Sequence, residues 1–217
     1  MMKQFSRDML PKKLPLLIVE DQVLLPEGFL PLEVTGMDDI AMVDHVIGHG
    51  RLVGVVQRRK EADASGKSDI FLAGCVGYVS AFNEILSHPL FITLKGLTRF
   101  KLLKYSKNAK GFWEGTIDFK GFEEDLTSKE TFSSQRERLL DVLKSYLALH
   151  DMGANWEEID KTPDVMLVNA LTNLCPFDAR EKQALLESKT IEERCHVMTF
   201  LIEMAMMTGE RKKTVLH

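Results

Sequence analysis

The sequence predicts an α+β fold in which an antiparallel, curled sheet or barrel fills the first half and an α-helical bundle the second. Three observations predict it. Apolar residues alternate with period 2 up to about residue 122, the period turns helical from Ser134, and helix-cap signals recur through the second half at helix-length spacing. The densest strand signal, Ile70 to Tyr105, organises the rest. Val76, Tyr78, Ser80 and Phe82 alternate with Cys75, Gly77, Val79 and Ala81, which gives a strand with two different faces. Leu90, Ile92 and Leu94 line a second strand, entered after His88-Pro89, where a proline is tolerated. Arg99 and Lys101 alternate with Phe100 and Leu102 in a third, so Gly96-Leu97 is expected to form a tight bend between antiparallel neighbours. Arg99 is expected to tie neighbouring strands or loops while Phe100 fills the barrel.

The remaining elements follow in order. Leu14 to Val19 is an apolar run of strand length closed by Glu20-Asp21. Between Gln22 and Val34 two Leu-Pro pairs exclude a regular central strand, because proline cannot donate to a ladder; an irregular or edge strand with a turn at Glu27-Gly28 is expected. Met37, Ile40, Ala41, Val43, Val46 and Ile47 recur at helical spacing, with Thr35 as N-cap and Gly48 or Gly50 as the stop. Arg51 to Gln57 returns to strand, Arg58 to Asp69 is a polar loop tip, and Trp113, Ile117 and Phe119 share a strand face opposite Glu114, Thr116 and Asp118. About seven strands result. Ser134 to Glu137, Asp178 to Glu181 and Thr190 to Glu193 match the capping box, and Thr162-Pro163 places proline at a first helical position. Four helices are expected, at 135–150, 163–174, 179–187 and 191–207, with Gly153 and Pro176 as stops. The predicted division is a flexible N-terminus at 1–13, a β domain at 14–122, a linker at 123–133, a helical domain at 134–207 and a basic tail at 208–217.

Composition narrows the function classes. At 217 residues the chain can bury a sizeable core, and its formal net charge of −4 argues against a broad electrostatic grip on nucleic acid. Cys75, Cys175 and Cys195 are odd in number, widely spaced and in apolar contexts, as reduced thiols in a cytoplasmic protein would be. The N-terminal segment lacks the apolar run of a signal peptide, and no stretch approaches the roughly 20 apolar residues of a membrane span.

Residues that suggest chemistry read more simply as structure. Gly66-Lys67-Ser68 resembles the end of a phosphate loop, but Glu61 stands where the first glycine is needed, and neither the preceding strand nor the following helix is expected. Cys195 and His196 are adjacent, so on a helix they point about 100 degrees apart and cannot form a nucleophile pair. His45 and His49 have the spacing of a two-histidine metal face, without a third ligand and with a helix stop at Gly48 between them. Met198 belongs to the core stripe of the last helix; Met204, Met206 and Met207 have the flexibility of an adaptable binding surface, but a structural role is the simpler reading. Glu123, Glu124 and Asp125 read as a solvated linker. No cofactor, metal or catalytic residue is expected.

Several motifs together resemble one family. Leu14-Pro15-Leu16, Leu25-Pro26 and Leu30-Pro31-Leu32 resemble the opening of the N-terminal substrate-binding domain of the Lon ATP-dependent protease. Ala73-Gly74-Cys75 resembles its glycine-bearing third strand, and Leu94-Lys95-Gly96 with Arg99-Phe100 its G-x-x-R-F/A signature. Pro176-Phe177, the run Glu181 to Glu187 and Arg194 look like its most characteristic helical segment. The likeness runs from about Leu14 to Met207 and is greatest with free-standing bacterial proteins made of that domain alone. After the second Leu-Pro-Leu the family commonly carries an acidic-Pro-Arg-Tyr type segment, where this chain reads Glu33 to Asp39. The resemblance implies a PUA-like β pseudobarrel joined to a helical bundle, no nucleotide-binding or Ser-Lys proteolytic domain, and contact with other proteins rather than catalysis.

The expected function is therefore a non-catalytic protein-binding module for exposed apolar or degron-like segments of other proteins, cytoplasmic and away from membranes. An RNA-binding module is the alternative, since PUA-like folds elsewhere contact RNA; acidity and scattered aromatics disfavour it. Leu25, Pro26 and Phe29 on the proline-punctuated segment, with Met37 at the start of the following helix, are the candidate partner-binding residues. The protein is expected neither to bind nor to hydrolyse ATP. Equilibrium binding of a fluorescent ATP analogue should detect no affinity, and an affinity that Lys67→Ala removes would contradict this reading.

Overall fold

A computed structural model describes residues 10–59, 69–84, 90–126 and 135–214. Its strands are β1 (Lys13–Val19), β2 (Phe29–Val34), β3 (Leu52–Gln57), β4 (Ala73–Glu84), β5 (Leu90–Lys107) and β6 (Trp113–Asp118), with helix α1 (Met37–Gly48) between β2 and β3. They form one sheet in the order β2-β5-β4-β3-β1-β6, and β6 returns to pair with β5. The last five strands thereby close a ring, and β2 is left as an edge. β5 is long enough to serve both purposes. Its first part pairs with β2, from Phe29 opposite Lys95 to Val34 opposite Leu90, and its later part pairs with β6, from Lys101 opposite Asp118 to Lys107 opposite Trp113. The pairs are antiparallel except β1 with β3, which run parallel because β2 and α1 intervene and carry the chain back to the starting end.

The bend expected at Gly96-Leu97 is absent: β5 continues through it with only a one-residue register shift against β4 at Leu97, so the central stretch holds two strands instead of three. Gly96 answers a different need. A Cβ there would lie 1.9 Å from the Leu25 carbonyl oxygen, and the close approach is fixed by Glu27 N–H donating to Gly96 O and Gly96 N–H to Gly28 O. Glycine is required by backbone crowding, not by a turn. The turn at Glu27-Gly28 does form, with Glu27 at φ 60°.

Phe100 is fully buried inside the ring with Leu14, Leu16, Ile70, Val76, Leu102 and Ile117. Gly74 makes room for it, since a Cβ there would meet the Phe100 ring at 2.7 Å. On the other side of the sheet Met42, Val43 and Val46 of α1 pack with Leu17, Val34, Val53, Leu90 and Phe112. Burial of each such side chain contributes about 1.5–3 kcal/mol. The N-cap of α1 is Gly36, one residue later than expected, and without a side-chain cap; Asp38 and Asp39 place negative charge at the positive helix end instead.

The helical half comprises α2 (Arg136–Leu149), α3 (Trp156–Lys161), α4 (Asp164–Leu174), α5 (Ala179–Glu187) and α6 (Ile191–Thr214). The capping box at Asp178 and Glu181 forms in full. Thr190 accepts from Glu193 N–H, but the Glu193 carboxylate turns to Lys189 N–H. The short α3 was not expected. Asn155 caps it by accepting from Glu158 N–H, and Thr162, expected as the cap of the next helix, instead donates back to the Glu158 carbonyl. Ser134, His88-Pro89, Glu61 and Gly66-Lys67-Ser68 lie outside the described residues. Arg136 joins α2 to the following helices through an ion pair with Asp164 and a bond to Ile159 O at 2.6 Å.

Polar side chains bolt the two halves together. Gln57 donates to Ala179 O at 2.7 Å, Gln183 to Ala73 O at 3.0 Å and Lys182 to Asp21 O at 2.8 Å. Arg99 holds the centre. Its Nε and Nη2 donate to Asp125, Nη1 to the carbonyls of Leu186 and Ser188, and Nη2 to Lys189 O at 3.0 Å. The Phe122 ring lies 4.8 Å from the guanidinium carbon. Asp125 is therefore not part of a solvated linker: its side chain is 6% exposed, in a 3-10 turn over Glu123–Leu126 that folds back onto β5. Removing one partner of a buried ion pair leaves the other charge unsatisfied. Asp125→Ala should accordingly lower the urea-unfolding free energy by about 3–5 kcal/mol, while Arg99→Met with Asp125→Leu should lose less. A loss below about 1 kcal/mol for Asp125→Ala, as for an exposed pair, would contradict this assignment.

Candidate functional site

The segment before β2 is held by helices, and this decides which of its residues reach the surface. Asn173 both accepts from Val23 N–H at 3.1 Å and donates to Val23 O at 2.9 Å, and Asn169 donates to Pro26 O at 2.8 Å. Side-chain amides thus satisfy a backbone that cannot enter a ladder. Leu25 and Pro26 are consequently buried, Leu25 within the core beside α1, and neither belongs to a partner-binding surface.

Phe29 and Met37 are exposed, at 50% and 74%. They do not form one compact patch, because Phe29 opens β2 and Met37 lies beyond its far end, about 16 Å of strand away. Phe29 instead shares the outward face of β2 with Pro31 and Glu33, while Leu30, Leu32 and Val34 turn inward. Across the ladder Phe91, 41% exposed, stands opposite Glu33, and Thr93 opposite Pro31. The result is a strip from Phe29 past Pro31 to Phe91, with Met37 beyond the Phe91 end. Phe91 and Pro31 were missed in the sequence. Period-2 alternation put Phe91 on the outer face, but only the register with β2 places it beside that strand.

The other candidates resolve individually. Met198 is fully buried, as expected; Met204 and Met207 are exposed on α6, Met206 packs against the helical core, and Met204 lines a cleft of about 310 Å³ with Tyr146, Cys175, Phe177 and Leu201. His45 and His49 stack with ring centroids 4.0 Å apart; Nδ1 of His49 donates to His45 O, and Nδ1 of His45 lies 3.0 Å from the Lys110 ammonium. Desolvation, then Lys110 and His49, hold the His45 pKa below its ordinary value. Among the described residues no group of three or more His, Cys, Asp or Glu could hold a metal ion. His196 is exposed while Cys195 is buried in the helical core, so they do not meet.

A family model described as the ATP-dependent protease La (LON) substrate-binding domain matches residues 13–203. The chain belongs to that family. The Lon protease of Dictyoglomus thermophilum is 21% identical over 205 residues, which cover 89% of this chain and 24% of that protein. Lon protease 2 of Myxococcus xanthus is 28% identical over 126 residues, covering 58% of this chain and 15% of the relative. The matched part of this chain thus spans only 24% and 15% of the length of these two Lon proteases. Two solved structures share its fold. The Lon N-terminal domain protein from Xanthomonas campestris has a TM-score of 0.59 at 19% identity, covering 85% of this chain and 95% of that one. The N-terminal domain of the Mycobacterium avium complex Lon protease has a TM-score of 0.61 at 16% identity, covering 88% and 98%. Among the described residues no helix is long and apolar enough to cross a membrane.

In this Lon substrate-binding domain the thiols are poor nucleophiles. Burial pushes Cys75 far up, and pushes Cys175 and Cys195 up to about 11, so the reactive thiolate is scarce near neutrality. A disulfide-exchange reagent at mildly alkaline pH should label none of the three in the native protein and all of them after unfolding. Rapid labelling of native protein would show an accessible thiol and contradict that picture.

Proposed function

We propose that this chain is a non-catalytic protein-binding module that holds exposed apolar or degron-like segments of other proteins on the outer face of β2 and β5. The observation that carries the reading is the pair Phe29 and Phe91, two half-exposed aromatic rings on one outward face with Pro31 between them. The two rings stand about 13 Å apart along the strand with the exposed Pro31 between them, and a contiguous apolar strip marks an interaction surface where single exposed residues mean little. Membership of a substrate-binding domain family supports the same reading. Covering two rings that are already half-buried is worth about 1.5–3 kcal/mol before association costs, which suits a weak, reversible hold on many sequences rather than a tight complex. Met37 lengthens the face, and its flexible side chain adapts to unlike partners.

The test is capture of a permanently unfolded model protein by the full chain. Phe29→Ser with Phe91→Ser should abolish capture while the melting temperature stays within about 3 °C, and Phe29→Ser with Met37→Ser should weaken it. Unchanged capture by both variants would contradict the assignment, and loss on Met204→Ser with Met207→Ser would move the site to α6.

A further inference from the structure

We propose that β2 receives its partner as an added strand: an extended apolar segment hydrogen-bonds to the outward backbone groups of Phe29 and Glu33, and a lysine or arginine of that segment sits on the Glu33 carboxylate. The proposal rests on reading this face as the protein-binding surface and adds how a partner is gripped and which chemistry it carries.

The backbone argument starts at the bond from Gly96 N–H to Gly28 O. The β2–β5 register continues without a shift from that point, so bonded and non-bonded positions alternate. Leu30, Leu32 and Val34 turn their N–H and C=O toward β5, and Phe29, Pro31 and Glu33 turn theirs away from it. Among the described residues no strand pairs with that outer edge. Such groups select an extended segment, because only an extended backbone presents donors and acceptors at their spacing.

A second copy of this chain fits poorly. Natural edges are commonly blunted by proline or lysine, and β2 has Pro31 at the middle outward position and no lysine. Two β2 edges paired about their centres would set proline against proline and lose both central donors. A different segment, with no proline there, keeps the bonds to Phe29 and to Glu33, about 13 Å apart.

Charge completes the description. The Glu27 carboxylate is taken by Lys95 at 3.1 Å and that of Asp38 by Lys107 at 2.6 Å. Glu33 is exposed, its cross-strand neighbour is Phe91, and among the described residues its carboxylate has no ion-pair or hydrogen-bond partner. The fitting partner is thus apolar beside Phe29 and cationic beside Glu33, four residues apart on one strand face.

The experiment measures fluorescence anisotropy of a short labelled peptide of alternating valine and threonine, with lysine and phenylalanine four residues apart, titrated with the full chain. N-methylating one alternate set of peptide amides should weaken binding at least about tenfold, through two or three lost hydrogen bonds, and N-methylating the other set should leave it unchanged. Glu33→Lys should weaken the lysine peptide about threefold and favour a peptide with glutamate in its place. If Phe29→Ser with Phe91→Ser abolishes binding but both N-methylated peptides bind like the parent, strand addition is overturned while side-chain capture on this face stands. No binding of the parent peptide also overturns it, with capture of unfolded protein still deciding the broader reading. A dimer in sedimentation that dissociates on Phe29→Lys would give the edge to a second copy and overturn it as well.

Discussion

A guanidinium buried between a barrel and a helical bundle must have its donors satisfied, and much of this molecule is arranged around that demand. Arg99 sits on β5 between the part that pairs with β2 and the part that pairs with β6. Its side chain is 4% exposed, so water cannot complete its hydrogen bonds. Asp125 supplies a carboxylate that binds Nε, Nη2 and, at 2.7 Å, the Arg99 backbone N–H; the α5–α6 turn supplies carbonyls. The chain after β6 must therefore fold back, and the helices must dock in one orientation. That orientation brings Asn169 and Asn173 of α4 against residues 23–26, which buries the irregular segment and leaves Phe29 as the first apolar residue to emerge after it.

The consequence for binding is a division of labour along one sequence run. Up to Gly28 the chain is tied down by helices and by the crowding at Gly96; from Phe29, among the described residues, it has a strand neighbour on one side only. A surface used for unlike partners benefits from this arrangement, because the rigid backbone of β2 is positioned by the core while its outer atoms stay uncommitted. The inward residues Leu30 and Val34 anchor the strand, so outward substitutions can alter binding with little effect on folding.

Much of the architecture was legible in the residues because it rests on local rules. A continuous apolar run located β1, alternation located β4 and β6, and the Asp178 cap located α5. The misreadings share a non-local cause. Gly96 read as a turn because a glycine between two strand signals has two explanations, and only the Leu25 carbonyl, 71 residues earlier in the chain, separates them. Asp125 read as solvated because its partner lies 26 residues away on β5. Leu25 and Pro26 read as surface because the asparagines that satisfy their neighbourhood come about 143 to 150 residues later. The short α3 did carry a local signal, Asn155 three residues before Glu158, because asparagine caps a helix as aspartate does.

Residue-resolved amide exchange on the full chain, with and without a permanently unfolded model protein, tests the central claim most directly. The outward amides of Phe29 and Glu33 should exchange freely in the unbound protein and become protected on binding, while Leu30 and Leu32, already bonded to β5, should change little. Protection that appears on α6 and leaves Phe29 and Glu33 untouched would contradict the placement of the binding surface on β2.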